Sequence, residues 1–315
     1  DDVPPTAVIN AGQTVTLEFR NQPMGSLLIR KVCSVNPSVT LANAEFKVAY
    51  SDGTLIGNSN GVYRSDENGE VRIDGLIPGK SVVVTETKAP AGFLIDAQSQ
   101  TIVVQAGKTV TVTMKNQPRG KLIVQKRDSL TNQVLPGTQF RITTAAGCEV
   151  GLDGVIGTAT LTSNGIFTTD SQGEIRISNL APGAYVISEI KAPDNYVMDN
   201  PSTNVVIGPN GDTQTVVITN TPKATLTILK RDAVTRKPLA NAEFIVRDSE
   251  GHAVGPTNGI YKTGTDGTVV VSGLEPGVYS VRETATTSDH IIDAREYHVE
   301  LFPGKTSTLT VENQK

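Results

Sequence analysis

Internal repetition constrains this chain more than any other feature of its sequence. Three boxes recur in the same order. Leu41-Ala-Asn-Ala-Glu-Phe46 returns as Leu135-Pro-Gly-Thr-Gln-Phe140 and again as Leu239-Ala-Asn-Ala-Glu-Phe244. Gly75-Leu-Ile-Pro-Gly79 returns as Asn179-Leu-Ala-Pro-Gly183 and Gly273-Leu-Glu-Pro-Gly277. Each copy then runs through an alternating segment ending in glutamate (Glu86, Glu189, Glu283) and a last one ending in asparagine (Asn116, Asn220, Asn313). The spacing from Phe46 to Glu70 is 24 residues and from Phe244 to Thr268 also 24, but from Phe140 to Glu174 it is 34. The second copy therefore carries a ten-residue insertion, expected near 147–163.

Within each copy, apolar residues alternate with Thr, Ser, Lys and Arg over short runs, the period of a half-buried strand. Asn60-Gly61, Asn68-Gly69, Asn164-Gly165, Asn210-Gly211, Asn258-Gly259 and Asp266-Gly267 are turn signals between the runs. No segment of helical period is long enough for a stable helix. About seven short strands in roughly a hundred residues predict a β-sandwich. The expected class is all-β, with three tandem Ig-like sandwiches forming a semi-rigid rod joined at Gln117-Pro118 and Thr221-Pro222. The expected divisions are 24–118, 119–222 and 223–315. Residues 1–23 align with the end of the first copy and read as the last two strands of a truncated upstream repeat, which implies more chain on that side and further sequence at the other end.

Composition narrows the function. With 28 basic and 32 acidic residues the net charge is −4, which argues against nucleic acid as a partner. No apolar run approaches the length needed to cross a bilayer, so no membrane contact is expected of this segment. Two cysteines in 315 residues can supply neither a disulfide framework nor a thiolate zinc site. Cys33 is expected to be a small buried side chain, and Cys148, in the insertion, an exposed one. His252, His290 and His298 match no metal-binding spacing and are expected at surface strand positions, so no metal and no cofactor is expected. The Gly-rich stretch 147–157 follows no phosphate-loop pattern and reads first as an extended hairpin.

Strand parity then isolates a chemical constellation. Alternate residues share a face, so Leu27, Ile29 and Lys31 point the same way, as do Leu122, Val124 and Lys126, and Leu226, Ile228 and Lys230. The same parity turns Glu86, Glu189 and Glu283 inward, and also Asn116, Asn220 and Asn313. From Glu to Asn the spacing is 30, 31 and 30 residues, and each asparagine precedes the next repeat's lysine by 10. A lone buried charge is costly. Two readings stand at this point. One is a buried Lys–Glu ion pair with a hydrogen-bonded Asn. The other is covalent: burial lowers the Lys pKa and raises that of Glu, a neutral amine attacks the Asn carboxamide, and the acid polarises the carbonyl and shuttles protons as ammonia leaves.

These residues carry a resemblance. The inward Lys, the Leu-x-x-Ala-x-Phe box, the Gly-Leu-x-Pro-Gly turn, Glu86-Thr-Lys-Ala-Pro-Ala-Gly92, Glu189-Ile-Lys-Ala-Pro193 and the terminal Asn-x-Pro together resemble the Cna B-type, or SpaA-like, repeats of Gram-positive surface proteins and pilins. The resemblance covers residues 24–315. It implies transthyretin-like sandwiches whose first and last strands are joined by spontaneous Lys–Asn isopeptide bonds assisted by a buried acid. Carried over, the triads are Lys31–Asn116 with Glu86, Lys126–Asn220 with Glu189, and Lys230–Asn313 with Glu283, and Lys88 and Lys191 are turn residues.

Two departures stand out. The third repeat has Glu283-Thr-Ala-Thr-Thr-Ser288 where the family has Lys-Ala-Pro. The first has Cys33 where the others have Asp128 and Asp232. Asn21 has no Lys or Glu of its own and is expected to stay unlinked. The implied function is a structural stalk of an extracellular, cell-wall-attached adhesin or pilus-like protein, monomeric, with single-turnover self-crosslinking as its only chemistry and no turnover enzyme activity. Attachment to peptidoglycan is expected through a C-terminal region outside this sequence, since no Leu-Pro-x-Thr-Gly signal occurs in it. The alternative is an adhesive module that binds a host surface protein or glycan through the second repeat's insertion.

Overall fold

The computed structural model describes residues 6–57, 59–151 and 165–315. Among them every regular element is a strand. The first repeat contains β1 (Gly25–Cys33), β2 (Glu45–Tyr50), β3 (Val62–Arg64), β4 (Glu70–Leu76), β5 (Ser81–Lys88), β6 (Gln100–Val103) and β7 (Thr109–Asn116). The second contains β8 (Gly120–Asp128), β9 (Gln139–Thr144), β10 (Ile166–Thr168), β11 (Glu174–Leu180), β12 (Gly183–Lys191), the two-residue β13 (Tyr196–Val197), β14 (Ser202–Ile207) and β15 (Thr213–Pro222). The third contains β16 (Ala224–Asp232), β17 (Glu243–Arg247), β18 (Ile260–Lys262), β19 (Thr268–Leu274), β20 (Gly277–Ala285), β21 (Glu296–Leu301) and β22 (Thr306–Asn313).

Each repeat folds into two sheets facing one apolar core. In the first, β4-β1-β7 faces β3-β2-β5-β6. The second repeats this with β11-β8-β15-β13 and β10-β9-β12-β14, the third with β19-β16-β22 and β18-β17-β20-β21. The alternation in sequence becomes alternation in burial: β8 and β16 are buried at every second residue throughout. Three separate clusters result, dominated by Val, Ile and Leu, with Phe46, Phe140 and Phe244 fully buried at their centres. The chain divides into two compact units, one holding the first sandwich and the other the second and third.

The topology that positions the site is the pairing of first strand with last. β7 runs parallel to β1, β15 to β8 and β22 to β16, while β4, β11 and β19 flank the first strand antiparallel on its other side. The lysine-bearing strand is thus central in its sheet and buried on its inner face. A glycine turn fastens it. Lys31 N–H donates to the Gly69 carbonyl, and at φ of +73° a Cβ on Gly69 would sit 2.6 Å from the Lys31 carbonyl oxygen. Gly173 and Gly267 stand in the same relation to Lys126 and Lys230.

One expectation meets a different local structure, and another lies mostly outside the described residues. Residues 6–24 form no strand, and Val8, Ile9, Val15, Leu17 and Phe19 are exposed despite their strand-like spacing. The insertion near 147–163 falls mostly on 152–164, outside the described residues.

Candidate functional site: three buried Lys–Glu–Asn triads

The parallel register fixes two of the three partners. Lys31 lies beside Met114 and Cys33 beside Asn116, so Asn116 stands two residues further along the same face. The second and third repeats are identical in this: Asp128 lies beside Asn220 and Asp232 beside Asn313. The third partner comes from the facing sheet, where Glu86, Glu189 and Glu283 lie in register with Phe46, Phe140 and Phe244. All nine side chains are buried, the three lysines completely. Each amine also sits 5.8 to 6.0 Å from the centroid of that phenylalanine, a cation–π distance.

The second triad is a closed ring. Lys126 Nζ donates to Glu189 Oε2 at 2.9 Å and to Asn220 Oδ1 at 2.5 Å, and Asn220 Nδ2 donates to Glu189 Oε1 at 2.6 Å. The third is the same ring. Lys230 Nζ donates to Glu283 Oε2 at 3.3 Å and to Asn313 Oδ1, and Asn313 Nδ2 donates to Glu283 Oε1 at 2.9 Å and Thr286 Oγ1 at 2.8 Å. The first ring is open. Lys31 Nζ lies 3.1 Å from Glu86 Oε2 without hydrogen-bonding alignment, and Asn116 Nδ2 donates to Glu86 Oε2 at 2.8 Å and to the Leu94 carbonyl at 2.5 Å. Lys31 Nζ, Glu86 Oε1 and Asn116 Oδ1 are left without hydrogen-bond partners.

Electrostatics act in the same direction in all three. Burial strips water from the ammonium and lowers the pKa of Lys31, Lys126 and Lys230, and the neighbouring glutamate only partly offsets this. The lowered pKa favours the neutral amine, the nucleophilic form. The glutamate differs from the sequence-based expectation in its contacts. In both closed rings it touches the amine and the carboxamide nitrogen, and the carboxamide oxygen is met by the lysine. That suits proton transfer between the two nitrogens better than polarisation of the carbonyl.

Several residues missed by sequence reasoning border the triads. Tyr196 Oη donates to Asp128 Oδ2 at 2.9 Å, and His290 Nε2 lies 3.0 Å from Asp232 Oδ2. The side chain of His290 is only 3% exposed and lies in the loop after β20, which corrects its expected place on a surface strand. Its ring lies within hydrogen-bonding distance of Thr287, Asp289 and Asp232. His298 is on β21 and exposed, and His252 is exposed in the turn after β17. Cys33 is buried, Cys148 exposed, and both are free thiols. Asn21 is exposed in the N-terminal segment. Among the described residues no group of three or more His, Cys, Asp or Glu side chains is placed to hold a metal.

Comparison with known proteins yields one family. A family model described as SpaA, prealbumin-like fold domain, matches residues 25–118, 120–222 and 224–315. No curated protein sequence matches the chain. Among solved structures, the Bacillus anthracis TIE protein is 26% identical, with a TM-score of 0.45, over 92% of this chain and 51% of that one. The chain thus spans about half the length of that protein. A streptococcal ancillary pilin is 19% identical over 93% of this chain and 99% of its own, with a TM-score of 0.41. BcpA, the major pilin subunit of Bacillus cereus, is 18% identical over the same shares, with a TM-score of 0.39.

Proposed function

Because the chain belongs to the SpaA family of prealbumin-like fold domains, matched three times along its length, we propose that it is a load-bearing stalk segment of a Gram-positive cell-surface protein, closed in each domain by a spontaneous Lys–Asn isopeptide bond. The observation that carries this is the closed ring of the second and third triads, in which one carboxylate touches both the attacking and the leaving nitrogen.

The chemistry balances with these groups alone. The glutamate takes one proton from the ammonium and frees its lone pair. Rotation of the carboxamide brings Cγ to the amine, a C–N bond forms, and the tetrahedral carbon bears an oxyanion. The protonated glutamate gives its proton to Nδ2, the Cγ–Nδ2 bond breaks, and ammonia leaves as the carbonyl re-forms. The new amide nitrogen returns a second proton to the glutamate, which ends protonated. Lysine and glutamate have then both lost their charges, so the burial penalty of the ion pair disappears with the reaction. The site turns over once and is consumed.

The connectivity supports the mechanical role. Force entering at β1 reaches Lys31, crosses to Asn116 and passes along ten residues to Lys126, where the next bond takes it. Residues 32–115, 127–219 and 231–312 lie outside that covalent load path. By analogy with a disulfide closing a loop of this size, each bond stabilises its domain by about 4–5 kcal/mol. Extracellular, wall-attached placement follows from the same reading. Adhesion to a host protein or glycan through the second repeat's insertion has no observation in its favour among the described residues, and deleting 152–164 and assaying adhesion would bring it out. Replacement of Glu189 by Ala tests the proposed chemistry. The variant is expected to keep the other two bonds and lack the one between Lys126 and Asn220, seen by peptide mass mapping. A full set of linked peptides in that variant removes the glutamate from its role.

A further inference from the structure

The three triads share residue types but not geometry, and the difference tracks a second pair of positions. Two residues beyond each triad lysine, directly beside the triad asparagine in register, stand Cys33, Asp128 and Asp232. Seven residues beyond each triad glutamate stand Phe93, Tyr196 and His290. In the second and third repeats these two positions are bonded to each other, Tyr196 to Asp128 at 2.9 Å and His290 to Asp232 at 3.0 Å. Both aspartates are buried and are fixed from below by two backbone N–H groups, of Leu130 and Thr131 or of Val234 and Thr235. In the first repeat a thiol faces a phenyl ring at these positions in sequence, and that pair cannot make the bond. The first repeat is also the one in which the lysine does not reach the asparagine oxygen.

The loop that carries the seventh residue leaves the glutamate strand and closes over the triad. In the third repeat it supplies Thr286 Oγ1 to Asn313 Nδ2 and the Asp293 N–H to Glu283 Oε2. In the first, the loop makes the same N–H contact, from Asp96 to Glu86 Oε2, but offers the Leu94 carbonyl in place of a hydroxyl to Asn116 Nδ2, and Asn116 Oδ1 has no partner.

Resting on the crosslinking reading above, we infer that Asp128 with Tyr196, and Asp232 with His290, form latches that tie this loop to the first strand and hold the carboxamide oxygen against the lysine amine. They are positioning residues for bond formation. The first repeat, with Cys33 and Phe93, lacks the latch, and its bond forms last.

A time course separates this from a purely structural role. The full chain is made by cell-free translation, quenched into denaturant at intervals and digested, and each Lys–Asn linked peptide is quantified. Linkage in the second and third repeats is expected to precede that in the first. Tyr196→Phe removes one oxygen and is expected to slow the second repeat by about ten-fold, the scale of one lost hydrogen bond expressed in a rate, while the third repeat in the same chain keeps its rate as an internal control. Tyr196→His, which copies the third repeat's latch, is expected to restore most of the rate. Cys33→Asp combined with Phe93→Tyr is expected to speed the first repeat towards the second. Wild-type linkage rates in Tyr196→Phe overturn the latch, whether or not the grafted first repeat folds. A folded graft that links no faster also overturns it. If no repeat of the wild-type chain ever links, the crosslinking reading falls and the latch with it, whereas linkage indifferent to Tyr196 removes the latch alone.

Discussion

A lysine with no exposed surface is held in a sheet only if its charge is shared or removed. Here Glu86, Glu189 and Glu283 share it, and the proposed bond removes it. The first triad shows what is at stake before closure: Lys31 keeps its ion pair with Glu86 at 3.1 Å, but its Nζ, Glu86 Oε1 and Asn116 Oδ1 have no hydrogen-bond partner. His290 is the other buried ionisable group of note. It faces Asp232 on β16 and Asp289 on its own loop, and Asp289 is itself 3.4 Å from Lys315 Nζ. The two carboxylates raise the imidazole pKa above its usual 6.5. A raised value means that the charged latch contributes its full stabilisation below about pH 6.5, the unfolded value. That contribution is lost as the pH climbs through the folded value. An NMR titration of the His290 ring is expected to give a midpoint above 6.5, and Asp232→Asn to bring it down. A midpoint indifferent to that substitution contradicts the assignment.

At the scale of elements, strand parity carried most of the information. Leu122, Val124 and Lys126 alternate with exposed or half-buried residues, and that pattern alone turned Lys126 inward. The turn glycines are equally specific. Gly173 has φ of +70° and a Cβ there would lie 2.8 Å from the Lys126 carbonyl oxygen. Gly173→Ala is therefore expected to destabilise the second sandwich by about 1–3 kcal/mol, read as a lower denaturant midpoint. Gly208→Ala, which meets nothing within 4 Å and needs no left-handed backbone, serves as the neutral control. Equal midpoints for the two would show that the turn is not under that constraint.

Other features were not legible from one strand at a time. The glutamate's two contacts depend on how the facing sheets meet, which no spacing encodes. The latch was hidden because its outer residue sits in a loop and changes type from Phe93 to Tyr196 to His290. Only reading that column beside Cys33, Asp128 and Asp232 exposes it. In the N-terminal segment Val15, Leu17 and Phe19 alternate like a strand yet are exposed and lie outside any strand.

For the whole molecule, the composition and the triads fit together. The chain has no Trp, only 7 Phe and 7 Tyr, and two free thiols in place of a disulfide set. Three small cores built from Val, Ile and Leu each bury a smaller fraction of their chain's surface than the core of a large domain does. The proposed Lys–Asn bond in each sandwich would supply covalent reinforcement and route tension past most of each domain. Intact mass under denaturing conditions tests this most directly. Each bond expels one ammonia, about 17 Da. The account predicts a mass about 34 Da below the sequence value soon after synthesis, when the two latched repeats have closed. The deficit then deepens to about 51 Da as the first repeat follows. A mass that stays at the sequence value contradicts the account.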